Sequence, residues 1–191
     1  SALSTITEHD FVKMSLSKLE RIWSKTYSAD CNEREEQVLS DMMLARYEGE
    51  SARPSVEALL HALIPYIYVV HLHPALVNGL TCSVHGSNLC KDIFPDALWV
   101  PIMNPGYVLA NDIRTRAQEF IKMGMGFPKI IFLQNHGIFI QSDTLKDVQD
   151  MYKYVMGLLD KQIVRKPDLS ESDMNDSRFQ LAAESMKEYF G

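Results

Sequence analysis

The sequence predicts a layered α/β domain, because segments with helical periodicity alternate with short strand-like segments along the chain. Residues 31–46 carry apolar side chains three to four positions apart, which is the spacing of a helix that buries one face. Residues 66–73 and 129–133 are short and rich in β-branched and aromatic residues, which is typical of strands. Helices interleaved with strands are typical of domains in which helices cover a sheet.

The remaining elements follow from the same two patterns and from the residues that cap or end them. Ser55 is a candidate N-cap of a second helix, which Pro65 ends, and Thr144 is a candidate N-cap of a later helix. Pro105 and Gly106 form a turn before another helix. The predicted helices cover residues 11–23, 31–46, 55–64, 108–123, 144–162 and 178–190, with helix or coil at 76–80. The predicted strands cover residues 66–73, 97–101, 129–133 and 138–141.

Length and charge limit the class of protein. The chain has 191 residues, enough for one domain with a sizeable core, which we place at residues 1–165, followed by a more polar helical tail at residues 166–191. Its formal net charge is −6, and no cluster of lysine and arginine forms the basic face expected of a nucleic-acid binder. The longest apolar run, at residues 64–70, is too short to cross a membrane.

The cysteine content favours a reducing compartment. Cys31, Cys82 and Cys90 are odd in number, and they form no CxxC pair. A disulfide framework is therefore not expected, and no signal peptide is visible. We expect the protein to be cytoplasmic.

Two histidines on one predicted strand are the first candidates for chemistry. His71 and His73 lie two positions apart, so on a strand their side chains point to the same face. Two imidazoles side by side on an apolar strand are costly unless they bind something, and imidazole suits a divalent metal such as zinc. The alternative, from the residues alone, is a pair of hydrogen-bonded histidines at the end of a strand.

A third histidine lies at a break between two apolar segments. His136 is flanked by Asn135 and by Gly137, and we expect the glycine to let the backbone turn sharply. Loops at strand ends often carry functional residues, although a lone histidine is more often structural. Three histidines form the protein side of a catalytic zinc site with an open position, so His71, His73 and His136 together predict such a site.

A glutamate near the start of the second predicted helix is a candidate for acid–base chemistry. That helix leads through Pro65 into the strand that carries His71, and the short connection keeps the helix end near the strand, so that the Glu57 carboxylate can approach the predicted metal. The structural alternative is a first-turn glutamate that complements the helix dipole. His61 lies four residues later on the same helix face. His61 has three candidate roles: a fourth metal ligand, a residue that supports the ligands from behind, and a histidine of the core. We favour the second and the third.

These residues, in this order, resemble the class II aldolase/adducin family. The resemblance rests on three stretches, Pro54-Ser55-Val56-Glu57-Ala58-Leu59-Leu60-His61, Val69-Val70-His71-Leu72-His73-Pro74 and Asn135-His136-Gly137. They match the family's Ser-x-Glu-x-x-x-His helix, HxHP strand and NHG turn, and the likeness spans roughly residues 5–160. Flanking sequence such as Asn104-Pro105-Gly106-Tyr107 is similar to the aldolase module of bifunctional rhamnulose-phosphate aldolase/dehydrogenases.

The resemblance implies a fold, a metal and roles for individual residues. It implies a three-layer α/β/α domain with a central, largely antiparallel sheet, and homotetramers with active sites at subunit junctions. His71, His73 and His136 match the metal ligands, so the expected cofactor is Zn²⁺ or another divalent transition metal. Glu57 matches the catalytic acid/base, and Ser55 matches a serine near the substrate phosphate.

Two departures from the family pattern bear on the mechanism. Fuculose-phosphate aldolases carry a proton-donating tyrosine shortly before the glycine that matches Gly106, whereas this chain has Pro-Ile-Met-Asn at residues 101–104. Tyr107 lies just beyond and is a candidate substitute that we do not favour. The family's Gly/Asn-rich phosphate loop precedes the segment that matches residues 3–12. We therefore expect further residues upstream of Ser1, with a Gly-rich turn that binds phosphate.

The resemblance implies a metal-dependent aldehyde-lyase. The expected reaction cleaves a ketose, which we expect to be phosphorylated, into dihydroxyacetone phosphate and an aldehyde, with the metal as Lewis acid. A sugar-phosphate epimerase or dehydratase on the same scaffold is the first alternative. A non-catalytic, adducin-like interaction module is the second. It fits less well, because adducin-type members lack the histidine ligands that this chain retains.

Overall fold

The computed structural model describes residue 7, residues 10–165 and residues 177–190. These residues form eight α-helices, one 3-10 helix at Arg21–Ser24 and four strands. The α-helices are α1 (Leu16–Glu20), α2 (Cys31–Leu44), α3 (Ala58–Leu63), α4 (Ala75–Thr81), α5 (Gly86–Ile93), α6 (Tyr107–Lys122), α7 (Leu145–Gln162) and α8 (Ser177–Phe190). The strands are β1 (Tyr68–Leu72), β2 (Leu98–Val100), β3 (Ile130–Leu133) and β4 (Gly137–Ser142).

The four strands form one sheet in the order β1-β4-β3-β2. β4 pairs antiparallel with both β1 and β3, and β2 pairs parallel with β3. The sheet is therefore largely antiparallel, as expected. The β1–β4 pairing places His71 opposite Phe139, and it brings the segment that carries two histidines beside the end of the hairpin that carries the third.

Helices cover both faces of the sheet. Because side chains alternate along a strand, Phe139 of β4 faces one core, while its neighbours Ile138 and Ile140 face the other. The first core contains buried residues of α1, α2, α3 and α6, and the second contains buried residues of α4, α5 and α7. This arrangement confirms the predicted three-layer α/β/α class.

Most predicted elements are present, with differences at their ends. α3 begins at Ala58 and not at Ser55, because the Ser55 hydroxyl accepts a hydrogen bond from the Glu57 amide in a turn and Glu57 is the N-cap. Thr144 caps α7 as predicted, since its hydroxyl accepts a hydrogen bond from the Asp147 amide. The first helix is shorter than predicted, because Met14 pairs with Arg46 in an isolated β-bridge.

α5 was not predicted, because tertiary contacts define it. Gly86 at its start lies against the carbonyl of Leu80 and the ring of Trp99, where a Cβ atom would collide with both. Cys90 on the same helix is buried in the second core, and its burial raises the pKa of its thiol to about 12. Cys31 and Cys82 are exposed, and none of the three cysteines forms a disulfide.

The chain divides into two compact units, Ser1–Asp160 and Lys161–Gly191. The second unit contains α8, which corresponds to the helix predicted at residues 178–190. The start of the predicted polar tail, residues 166–176, lies outside the described residues. The domain boundary predicted at residue 165 stays a prediction. Among the described residues, no helix combines the length and apolar character needed to cross a membrane.

Candidate metal centre

The three predicted ligands converge on one point. His71 lies within β1, His73 follows the strand, and their Nε2 atoms are 2.8 Å apart. His136 lies in the turn between β3 and β4, and its Nε2 atom is 3.3 Å from that of His71. One ligand atom from each of the three residues lies within 4.8 Å of the other two. The structure therefore brings together the two histidine motifs, which are more than sixty residues apart in sequence.

The sheet holds the His71 ring from two sides. Its Nδ1 atom is 3.0 Å from the carbonyl oxygen of Ile138, an atom that only accepts hydrogen bonds, so Nδ1 carries the proton. Its ring stacks on Phe139 with a centroid distance of 4.1 Å and an interplanar angle of 20°. The neutral ring consequently presents the lone pair of Nε2 to the other histidines, which is the usual arrangement of a metal-ligating imidazole.

The surroundings of His71 and His136 lower the pKa of both imidazoles. Burial lowers the pKa of His71 from 6.5 to about 4; the neighbouring His136 and His73 lower it too, while the hydrogen bond with Ile138 opposes the change. Burial also lowers the pKa of His136, against the opposing effect of the Glu57 charge. A neutral imidazole is the form that binds a metal, so the lowered pKa values favour the ligating form at neutral pH.

Glu57 lies against the same cluster. Its Oε1 atom is 3.4 Å from Nε2 of His71 and 3.3 Å from Nε2 of His136. The backbone of Glu57 caps α3, since its carbonyl accepts hydrogen bonds from the amides of Leu60 and His61. The capping position thus fixes where the side chain starts, and it directs the carboxylate to the histidines.

The donor set fits a divalent metal. Any two ligands at about 2.0–2.1 Å from a tetrahedral zinc ion are separated by about 3.3–3.4 Å. The four separations given above between the His71, His73, His136 and Glu57 atoms range from 2.8 to 3.4 Å. Hydrogen bonds alone satisfy this group poorly, because the single lone pair of His71 Nε2 faces two other ring nitrogens and a carboxylate oxygen. A cation at the centre would satisfy all of them.

Ser55 and His61 lie beside the cluster and not in it. Both line a cavity of about 750 Å³, together with Arg53 and apolar residues of the segment before α1. The rings of His61 and Phe139 form an edge contact with a centroid distance of 5.5 Å, and Phe139 also stacks on His71. This position matches a residue behind the ligands, one of the two roles favoured from the sequence.

The contacts of Tyr107 are with residues outside the histidine cluster. Its ring belongs to an aromatic cluster with Trp23 and Tyr27, at centroid distances of 5.8 and 5.2 Å. Its amide donates a hydrogen bond to the Glu35 carboxylate, and Gly106 before it has φ +114°. These contacts do not connect Tyr107 to the histidines, so it gains no support as a substitute proton donor.

The role predicted for Gly137, on one side of His136, is wrong, and Asn135 on the other side has a role that was not predicted. The sharp turn was assigned to Gly137, but the positive φ lies at Asn135, with a value of 56°. Gly137 is instead required by close approach, because a Cβ atom there would collide with Cδ2 of His73 and lie 2.5 Å from the carbonyl oxygen of Leu72. A glycine in a strand often marks such an approach, but the predicted strand begins at residue 138, and only the structure places Gly137 within β4.

We predict that Gly137→Ala destabilises the protein and displaces His73. The added methyl group meets a backbone carbonyl and an imidazole, so the strand must shift, at a cost of about 1–3 kcal/mol. Gly157→Ala in α7 is the matched control, since its Cβ meets nothing within 4 Å and alanine favours helix. Thermal unfolding of both variants should show a lower Tm for the first alone. Equal Tm values for the two would contradict the assigned contact.

We also predict that acid destabilises the metal-free protein through His71. Between pH 6.5 and 4 the unfolded chain binds a proton at His71 that the folded chain does not, so the free energy of unfolding falls as pH falls through this window. The largest contribution from this residue is about 3 kcal/mol. Urea unfolding at pH 7 and pH 5, after treatment with a chelator, measures the loss. The loss should be smaller in His71→Gln, and an unchanged loss would refute the role of His71.

Comparison with known proteins identifies the family of this chain. Residues 1–163 match the model of the class II aldolase and adducin N-terminal domain. The chain therefore belongs to the class II aldolase/adducin family, as its motifs predicted. Class II aldolases use divalent metals, which agrees with the histidine cluster.

Three individual proteins that resemble this chain are 17–27% identical to it in sequence. The N-terminal class II aldolase domain of a conserved protein from Thermoplasma acidophilum superposes with a TM-score of 0.68 at 21% identity, over 84% of this chain and 70% of that one. The YgbL protein from Escherichia coli gives a TM-score of 0.46 at 17% identity, over 69% and 67% of the two chains. Uncharacterized oxidoreductase YuxG from Bacillus subtilis (strain 168) is 27% identical over 148 residues, which cover 75% of this chain. The chain spans 20% of the length of YuxG.

Proposed function

We propose that this chain is the catalytic module of a metal-dependent aldolase that cleaves a ketose. The observation that carries the proposal is the convergence of three imidazole nitrogens with one carboxylate oxygen, in which Nε2 of His71 lies 2.8–3.4 Å from the other three atoms. His71, His73 and His136 would hold the metal, with Zn²⁺ as the first candidate. When bound, the metal would act as a Lewis acid on the substrate carbonyl.

The protein residues have separable tasks in this proposal. His71 is fixed by Ile138 and Phe139, so it supplies a rigid ligand with a defined tautomer. Glu57 is close to two of the ligands and would move a proton to or from the substrate carbon or its hydroxyl group. Its side chain is about one fifth exposed, which leaves the carboxylate open to a substrate from the solvent side.

The cavity beside α3 is the proposed place for the remainder of the substrate. Ser55 and Arg53 line it and offer a hydroxyl group and a cation to an anionic group such as phosphate. Asp10 also lines the cavity, and its negative charge disfavours an anion there. Binding of an anionic group therefore relies on Arg53. Phosphorylation of the ketose and assembly into a homotetramer remain parts of the proposal that rest on the family resemblance.

A substrate screen tests the proposed function. Metal-loaded protein is incubated with a series of phosphorylated and unphosphorylated ketoses, and release of aldehyde is measured with a coupled reductase. We expect release from at least one phosphorylated ketose, and no release by protein treated with a chelator. Conversion of a substrate without aldehyde release would indicate an epimerase or dehydratase and would contradict the lyase assignment. Conversion of none of the sugars by metal-loaded protein would contradict the proposed catalytic function.

A further inference from the structure

The turn between β3 and β4 has an unusual backbone at one residue. His136 closes the turn, since its amide donates a hydrogen bond to the carbonyl of Leu133 at 3.1 Å. Asn135 is the third residue of this turn and has φ 56°, the one positive φ outside glycine in the described part of the chain. This position of type II and type I′ turns requires a positive φ, and it favours glycine or asparagine.

Gln134 and Asn135, the two central residues of the turn, form hydrogen bonds to different parts of the fold. The amide of Gln134 donates to the carbonyl of Val100 at 2.9 Å, and its side-chain carbonyl accepts from the amide of Ile102 at 3.1 Å. The amide of Asn135 donates to the carbonyl of Thr81 at the end of α4, at 3.0 Å. The turn therefore has little freedom to move as a body, and the direction of His136 depends on the backbone torsions of the residue before it.

Within the described part of the chain, no hydrogen bond of the Asn135 side chain holds this conformation. The side chain is exposed, and its carboxamide group forms no hydrogen bond among the described residues. A positive φ outside glycine is uncommon, and at a site the geometry that it produces often serves that site. Here the residue that follows is His136. Its Nε2 atom lies 3.3 Å from Nε2 of His71 and 3.3 Å from Oε1 of Glu57.

We propose that Asn135 is a positioning residue, whose left-handed backbone directs the imidazole of His136 toward His71 and His73. The proposal rests on the proposed function in so far as the three histidines bind a metal. In Asn135→Ala the metal-free turn would relax to a negative φ, and metal binding would have to restore the left-handed conformation. The cost of that conformation for alanine corresponds to about 5- to 30-fold in affinity.

Two substitutions of the same side chain separate backbone from side-chain effects. Asn135→Ala and Asn135→Gly both remove the amide group, but only glycine adopts a positive φ freely. Affinity of the full chain for Zn²⁺ and Co²⁺ is measured by competition with a chromophoric chelator. We expect a loss of about 5- to 30-fold for alanine, and an affinity for glycine close to that of the unsubstituted protein. Equal losses in both variants, or no loss in either, would overturn the proposal.

A second comparison checks that Asn135 acts through His136. In a His136→Ala background the affinity cost of Asn135→Ala should disappear, because the ligand that it positions is absent. A cost of the same size in that background would mean that Asn135 acts on the fold or on another ligand, and the proposal would fail.

NMR signals of the histidine rings in the metal-free protein test the role of Asn135 without relying on metal binding. Long-range ¹H–¹⁵N spectra of the histidine rings should change for His136 in Asn135→Ala and return to their original positions in Asn135→Gly. If the unsubstituted protein binds no metal, the proposed function fails, and these spectra still decide the proposal about Asn135. Unchanged His136 signals in the alanine variant would refute it.

Discussion

Glu57→Gln is expected to lower turnover by about 10²–10⁴ while leaving the fold and most of the bound metal in place. Glutamine has nearly the same shape as glutamate and can still lie beside His71 and His136, where the carboxylate oxygen is 3.3–3.4 Å from both ring nitrogens. It cannot accept or deliver a proton at the rate that acid–base catalysis requires. The loss should therefore appear in kcat and not in metal content.

The matched control for this variant is Glu36→Gln. Glu36 is exposed on α2, so the substitution removes the same charge away from the site. Turnover is measured on the ketose identified by the substrate screen, and metal content is measured on the same preparations. A Glu57→Gln variant with a turnover near that of the unsubstituted protein would rule out its role as acid/base.

His136→Ala is expected to remove most of the metal. The unsubstituted protein should bind about one zinc-like ion per chain with three protein ligands, and loss of one of three ligands removes a large part of the binding energy. The fold should persist, because His136 lies in a turn and its side chain is 24% exposed. Elemental analysis after dialysis against a weak chelator gives the metal content.

His85→Ala provides the control for the loss of an imidazole. His85 is exposed at the start of α5 and is not among the three clustered histidines. Its metal content should equal that of the unsubstituted protein. Full occupancy in His136→Ala would show that His136 is not a ligand.

Local sequence patterns predicted most of the fold. The apolar periodicity of α2 and the β-branched composition of β1 and β3 are properties of short segments, and these elements are present close to their predicted bounds. The position of β4 between β1 and β3 was beyond such patterns, because β1 and β4 are separated by more than sixty residues. α5 was missed for the same reason, since its start is defined by contacts of Gly86 with Leu80 and Trp99.

The candidate site was predictable in its residues and less so in its geometry. The spacing of His71 and His73 on a strand predicted that they face the same way, and the structure places their Nε2 atoms in contact. The distance of Glu57 from the histidines depends on the late start of α3, which the Ser55 turn produces. The torsions at Asn135 and the contact of Gly137 with His73 depend on tertiary structure, so the sequence pointed to the correct tripeptide with the wrong division of roles.

The central claim is that His71, His73 and His136 together hold a divalent metal beside Glu57. Anomalous diffraction at the zinc edge, from crystals of protein loaded with one equivalent of zinc, tests it most directly. The account predicts one strong anomalous peak per chain, about 2.0–2.1 Å from the Nε2 atoms of all three histidines. A peak bound to other residues, or bound to fewer than all three of these histidines, would contradict it.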